Sequence, residues 1–263
     1  MILKISDIPS EMDEIKRNVV GYKSMVELGL GSFVPELYLT GQQEHTTVIL
    51  MEYLGENFEC FMRRPGCVKD YQTLVGCLKQ VYLKSAHKPS QLILANSLDI
   101  FRELAKTLKE EILKKYLPQD TNFGDMTNMF SFPLKNLSFS CWDFKPDNLF
   151  LKDGIIKHAD PQDKVVGVPA VDLGIIAGII RDIAKLPGAD CGYELLLGSA
   201  TTEVGQLLEL SPQQSQALFR LGRLLQLLKA IKYRHLEGKT EVASRFVHSA
   251  RERIQLIHAL LSH

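Results

Sequence analysis

A chain of 263 residues is long enough to bury a full core, as one large domain or as two lobes. Its 31 basic and 31 acidic side chains leave a formal net charge of zero, so no global field draws it to nucleic acid or to an anionic membrane. The opening residues are acidic and lack the apolar core of a secretory signal, and the most apolar stretch, 165–183, is interrupted by Asp172, Arg181 and Asp182 and makes a poor membrane span. Cys60, Cys67, Cys77, Cys141 and Cys191 are odd in number and irregular in spacing, which fits neither a disulfide framework nor a zinc ligand set and suits a reducing cytoplasm. The seven histidines show no paired metal spacing.

In chain order, the first third is mixed. Residues 1–5 read as a strand, and residues 11–29 as a helix with Met12, Ile15, Val19, Tyr22 and Val26 on one face. Residues 35–39 read as a second strand, turned at Thr40-Gly41, and 46–54 as a β-rich run ending at Gly55; together they predict a small antiparallel sheet. Residues 68–85 and 97–116 carry helical apolar spacing, and 117–133 form a polar, turn-rich loop. Short strands are predicted at 137–140, 149–152 and 155–158, and helix for almost everything after Pro169. Ser211-Pro212 is a strong helix start, with a capping hydroxyl and a proline at the first helical position. That helix is predicted to run to Glu237-Gly238, and a last one from about Thr240 to the end. Arg220, Arg223, Lys229, Lys232 and Arg234 make a basic stripe read as a solvated helix face.

The densest chemical signal is C-W-D-F-K-P-D-N at 141–148, followed twelve residues later by Asp160. Asp, Lys and Asn stand at offsets 0, +2 and +5, which suits phosphoryl transfer, where a protein holds a metal-bound triphosphate and orients a nucleophile. Asp143 can accept a hydroxyl proton and Lys145 can neutralise the moving phosphoryl group. Asn148 and Asp160 supply hard oxygen ligands for Mg²⁺.

Together with H-A-D-P at 158–161 and G-V-P-A-V-D-L-G at 167–174, this run resembles the motif series of the protein-kinase-like superfamily, in its aminoglycoside phosphotransferase and choline kinase branch. The similarity spans roughly residues 1–180, in the right order. It implies an α+β, two-lobed fold: a small antiparallel β lobe over 1–55, lacking the strands of a glycine-rich loop, and a helical lobe over 56–263. It implies that Lys4 pairs with nucleotide phosphates, that Met51 sits at the gatekeeper position, and that Glu52 and Leu54 offer backbone groups to adenine. It assigns Asp143 as catalytic base, Lys145 to the transferred phosphate, Asn148 and Asp160 to Mg²⁺, and Asp172 to structural support of the catalytic loop.

The chain departs from the family pattern in places. Only three residues precede Lys4, where the family has two strands and a phosphate-covering loop; residues upstream of Met1 encoding such strands would make this chain a truncated lobe. The L-G-L-G-S-F-V run at 28–34 looks like that loop, but no lysine lies between Lys23 and Lys69, so it reads as a helix end and turn. The family's helix glutamate, which pairs with the strand lysine, is not obvious: Glu14 falls early, Glu27 late, and the spacing-matched stretch 18–22 is N-V-V-G-Y. Cys141 and Trp142 replace the family's loop histidine and the small residue after it. Eleven residues separate Asp160 from Asp172, too few for a peptide-docking segment. These features imply an ATP- and Mg²⁺-dependent phosphotransferase whose partners are a nucleotide and a small-molecule hydroxyl acceptor, with no nucleic acid and no membrane. The alternatives are an atypical protein serine/threonine kinase acting on a protein substrate, and a pseudokinase or interaction module.

Overall fold

Alternation along residues 2–6 gives the first strand, β1 (Ile2–Ser6), two different faces: Leu3 and Ile5 are exposed, while Ile2, Lys4 and Ser6 turn inward. The structure, a computed structural model, describes residues 1–43, 46–62, 68–86, 115–117, 146–161, 168–183 and 193–261. The predicted helix 97–116, save its last two residues, the predicted strand 137–140 and residues 141–145 therefore lie outside the described part. β2 (Leu37–Gln43) and β3 (Thr46–Met51) complete an antiparallel sheet in the order β1-β3-β2. Lys4 lies opposite Ile49, and Ile2 opposite Met51. The inner row Thr47, Ile49 and Met51 is buried.

Helix α1 (Pro9–Glu27) covers this sheet, starting from an extended Ile8 with proline in its first turn. Its buried residues are Met12, Ile15, Asn18, Gly21, Tyr22 and Met25. Val26, predicted on the inner face, is exposed and Met25 takes its place. The buried row advances in steps of three and four, and steps of three fall short of a 3.6-residue turn, so the row slants around the helix. Residues 28–34 end the helix and turn, as the sequence indicates: Gly29 has φ +76 and the Leu30 amide bonds the Met25 carbonyl at 2.8 Å. A 3₁₀ turn at Gly31–Phe33 then buries Leu30, Phe33 and Val34 in the core. The Thr40-Gly41 turn, by contrast, is not there. β2 runs straight through it, with Gly41 opposite Val48, because pairing with β3 outweighs a local turn preference.

The helical part opens with α2 (Phe58–Met62) and α3 (Val68–Ala86). A 3₁₀ turn at Pro146–Asn148 leads into the hairpin β4 (Leu149–Lys152) and β5 (Ile155–His158). Asp153 and Gly154 both take positive φ, which matches the twist a two-residue hairpin needs. Next come α4 (Pro169–Ala177), a π turn at Gly178–Ile183, α5 (Tyr193–Leu207), α6 (Pro212–Leu236) and α7 (Thr240–Leu261). Ser211 caps α6 as predicted, in a capping box with Gln214. Every residue of α4 is buried, between α5 and α6 among others. Because α4, α5 and α7 all cover α6, the basic stripe is not uniformly solvated: Arg223 is 1% exposed. Among the described residues, no helix is long and apolar enough to cross a membrane.

Candidate active site

The inward face of β1 sends Lys4 toward the residue that follows the β4–β5 hairpin by two positions. Lys4 Nζ lies 3.9 Å from Asp160 Oδ1, with the lysine side chain 40% and the aspartate 16% exposed. Glu14 and Glu27 are both exposed, and neither is the partner of Lys4 among the described residues. Within 18–22, the stretch whose spacing matches the expected helix acid, Asn18 is buried, and its Oδ1 has no hydrogen-bond partner among the described residues. The end of the β4–β5 ladder sets Asn148 against Ala159, the residue before Asp160, with the Ala159 amide donating to the Asn148 carbonyl at 2.9 Å. Asp143 and Lys145 lie outside the described residues.

Tyr22 closes the back of this corner. It is 1% exposed, and its hydroxyl donates to the Ala159 carbonyl and lies 3.5 Å from Met51 Sδ. Burial, and then the neighbouring Asp160 charge, push the phenol well above its ordinary range, so it stays a protonated donor. Asp172 is buried on α4, with the Tyr82 hydroxyl 3.5 Å from its Oδ2.

The segment after β3 holds Met51, Glu52 and Leu54. Met51 and Leu54 are buried, and the Glu52 amide donates to the Glu36 carbonyl at 2.8 Å. The Glu52 carboxylate does something the sequence reading missed. It accepts from Lys152 Nζ at 2.5 Å, Lys157 Nζ at 2.7 Å and the Glu36 amide at 3.1 Å. Lys152 also reaches the Tyr53 carbonyl at 3.2 Å, and Asn57 pairs with Phe150, so the segment after β3 is tied to the β4–β5 hairpin at several points. The signal was available: in a hairpin turned at Asp153-Gly154, Lys152 and Lys157 are diagonal neighbours on one face.

Burial alone would raise the Glu52 carboxyl, but the hydrogen bonds from Lys152, Lys157 and the Glu36 amide outweigh it and hold the group down at about 2, against an ordinary 4.5. A depressed carboxyl stabilises the fold fully above its unfolded value and loses that contribution as the pH falls through the folded one. Glu52→Gln is expected to cost about 2 kcal/mol at pH 7, between the values for surface and buried pairs. In urea melts the gap to wild type should stay constant above about pH 5, narrow below 4.5 and close near pH 2. A gap that is the same at pH 3 and pH 7 would rule out this ion pair as its source.

No family model and no curated protein sequence matches the chain. Solved structures do. A choline/ethanolamine kinase family protein from Mesorhizobium loti aligns over 94% of this chain and 82% of its own, at 14% identity and a TM-score of 0.56. A choline kinase from Cryptosporidium parvum aligns over 94% and 79%, at 11% identity and a TM-score of 0.57. An aminoglycoside-3′-phosphotransferase of type VIII aligns over 84% and 83%, at 14% identity and a TM-score of 0.50. The chain therefore has the protein-kinase-like fold, with a small β lobe and a helical lobe, in the form seen in the choline kinase and aminoglycoside phosphotransferase structures.

Proposed function

We propose that this protein is an ATP- and Mg²⁺-dependent phosphotransferase that moves the γ-phosphoryl group to a hydroxyl of a small molecule. The observation that carries this reading is the meeting of Lys4, from the β lobe, with Asp160, from the end of the β4–β5 hairpin, at 3.9 Å in this fold. A cation and a carboxylate brought together from distant parts of the chain are what a metal–triphosphate complex requires. Asn148 and Asp160 would hold Mg²⁺, and a carboxylate with an amide oxygen is a donor set this hard cation accepts. Bound with the nucleotide, the metal supplies charge neutralisation across the transferred phosphate. Lys4 binds phosphate oxygens, Asp143 takes the acceptor's proton, and Lys145 neutralises the phosphoryl oxygens. Met51, Glu52 and Leu54 border the adenine, and Asp172 supports the catalytic loop from buried α4. The short stretch between Asp160 and Asp172 favours a small acceptor over a protein substrate.

One observation favours a second reading, a pseudokinase or interaction module. Helix α1 offers Lys4 no acid among the described residues, and the stretch 18–22, where one is expected, carries none. Calorimetric titration with ADP and ATP, with and without Mg²⁺, separates the two. The phosphotransferase reading expects Mg²⁺-dependent binding and ADP release that rises with one member of a panel of amino-alcohols, aminoglycosides and sugars. Binding without turnover on any acceptor, protein substrates included, would favour the second reading, and no binding under any metal condition would end the first.

A further inference from the structure

Helix α1 contacts the Asp160 segment by hydrogen bond through one side chain among the described residues, that of Tyr22. Its hydroxyl donates to the Ala159 carbonyl, which belongs to the same planar peptide unit as the Asp160 amide. The Ala159 amide, on the other side of the residue, donates to the Asn148 carbonyl at 2.9 Å. Ala159 is thus gripped from both sides, by α1 and by the turn that carries Asn148. Holding its carbonyl fixes the plane from which the Asp160 side chain departs, leaving few soft torsions between Tyr22 and the carboxylate. The same hydroxyl lies 3.5 Å from Met51 Sδ, so the tyrosine is braced against β3 as well.

We infer that Tyr22 is a positioning residue that sets, through the Ala159 peptide, the geometry in which Asp160 and Asn148 receive a divalent cation; this rests on the phosphotransferase reading above. The role given to the tyrosine is indirect, through the Ala159 peptide. Its hydroxyl ties α1 to the peptide that precedes the metal-binding carboxylate through a neutral hydrogen bond, which salt does not screen. Its burial keeps water from competing for the Ala159 carbonyl.

Tyr22→Phe removes the hydroxyl and keeps every ring carbon; Tyr22→Met is a second variant without it. The measurement is the affinity for ADP in Mg²⁺ divided by that in EDTA, on the full chain, with the melting temperature recorded alongside. Wild type is expected to bind more tightly in Mg²⁺. In Tyr22→Phe that metal-linked factor should fall about tenfold, the equilibrium equivalent of one lost buried hydrogen bond. The affinity in EDTA should stay within about twofold and the melting temperature within about 3 °C of wild type. An unchanged metal-linked factor in both variants overturns the inference and leaves the phosphotransferase reading standing. An equal loss in EDTA and in Mg²⁺ overturns it too, since a purely structural role predicts that. A wild type with no metal-linked affinity overturns the phosphotransferase reading, and this inference with it.

Discussion

Asp160→Ala should lower Mg²⁺-dependent nucleotide turnover by at least about a thousandfold, the scale of several kcal/mol of lost charge stabilisation. The melting temperature should change by no more than about 3 °C. The two expectations have different origins. The Asp160 carboxylate is the charged oxygen of the proposed metal pair, and the amide oxygen of Asn148 alone cannot replace its charge. Its ion pair with Lys4 adds little to folding, because the two groups are 3.9 Å apart and the lysine is 40% exposed, which places the pair among weak surface bridges. The Tyr22 bond to the Ala159 carbonyl does not involve the carboxylate and survives the substitution. Lys4→Met should raise the KM for ATP while leaving the fold as stable, since one phosphate contact is removed and the metal site kept. A coupled assay of ADP release, with melts of all three proteins, makes the comparison. Full activity in Asp160→Ala would remove the residue from the site; a collapse in melting temperature would assign it to structure instead.

The largest stability effect is expected where α4 and α6 cross. A methyl group on Gly174 would lie 1.9 Å from the Phe219 carbonyl oxygen and 3.1 Å from the Arg223 nitrogen. The reverse contact is as tight: a methyl on Gly222 would lie 2.0 Å from the Val171 carbonyl oxygen. These neighbours are backbone atoms of rigid helices, so the only relief is to push the helices apart. Helix propensity alone would make Gly174→Ala favourable by nearly 1 kcal/mol. The overlap decides the sign, and a loss of about 3 kcal/mol or more is expected, a drop of roughly 10 °C in a chain of this size. Activity should fall with it, because α4 carries the buried Asp172. Gly76→Ala in α3 is the control: its methyl would meet nothing within 4 Å, so propensity should prevail and the protein should gain up to about 1 kcal/mol. If Gly174→Ala melted like wild type, the helices would not cross this closely in solution.

Gly174 also shows where sequence reading stops. It stands in the G-V-P-A-V-D-L-G run, whose order and spacing mark the fold, yet its need to be glycine comes from Phe219, a residue on another helix. Features carried by neighbours along the chain were legible: the first strand, the helix start at Ser211-Pro212, and the helix end and turn at 28–34 that discounts a phosphate loop there. Features that depend on what packs against an element were not. Val26 was exchanged for Met25, β2 ran on through Thr40-Gly41, and Arg223 left a supposed solvent stripe for the core.

The proposed site divides in the same way. Asn148 and Asp160 could be named from spacing and residue type, because the chemistry of phosphate and Mg²⁺ admits few donors, and Lys4 from the family resemblance. The partner of Lys4, the two lysines gripping Glu52 and the tyrosine behind Asp160 could not, since each contact joins residues far apart in the chain. Local propensity and residue chemistry by themselves determined the elements, their order and the candidate donors. Which donors meet, and at what distance, was decided only by folding, because burial and long-range packing set those distances and neither is encoded in any short stretch of sequence.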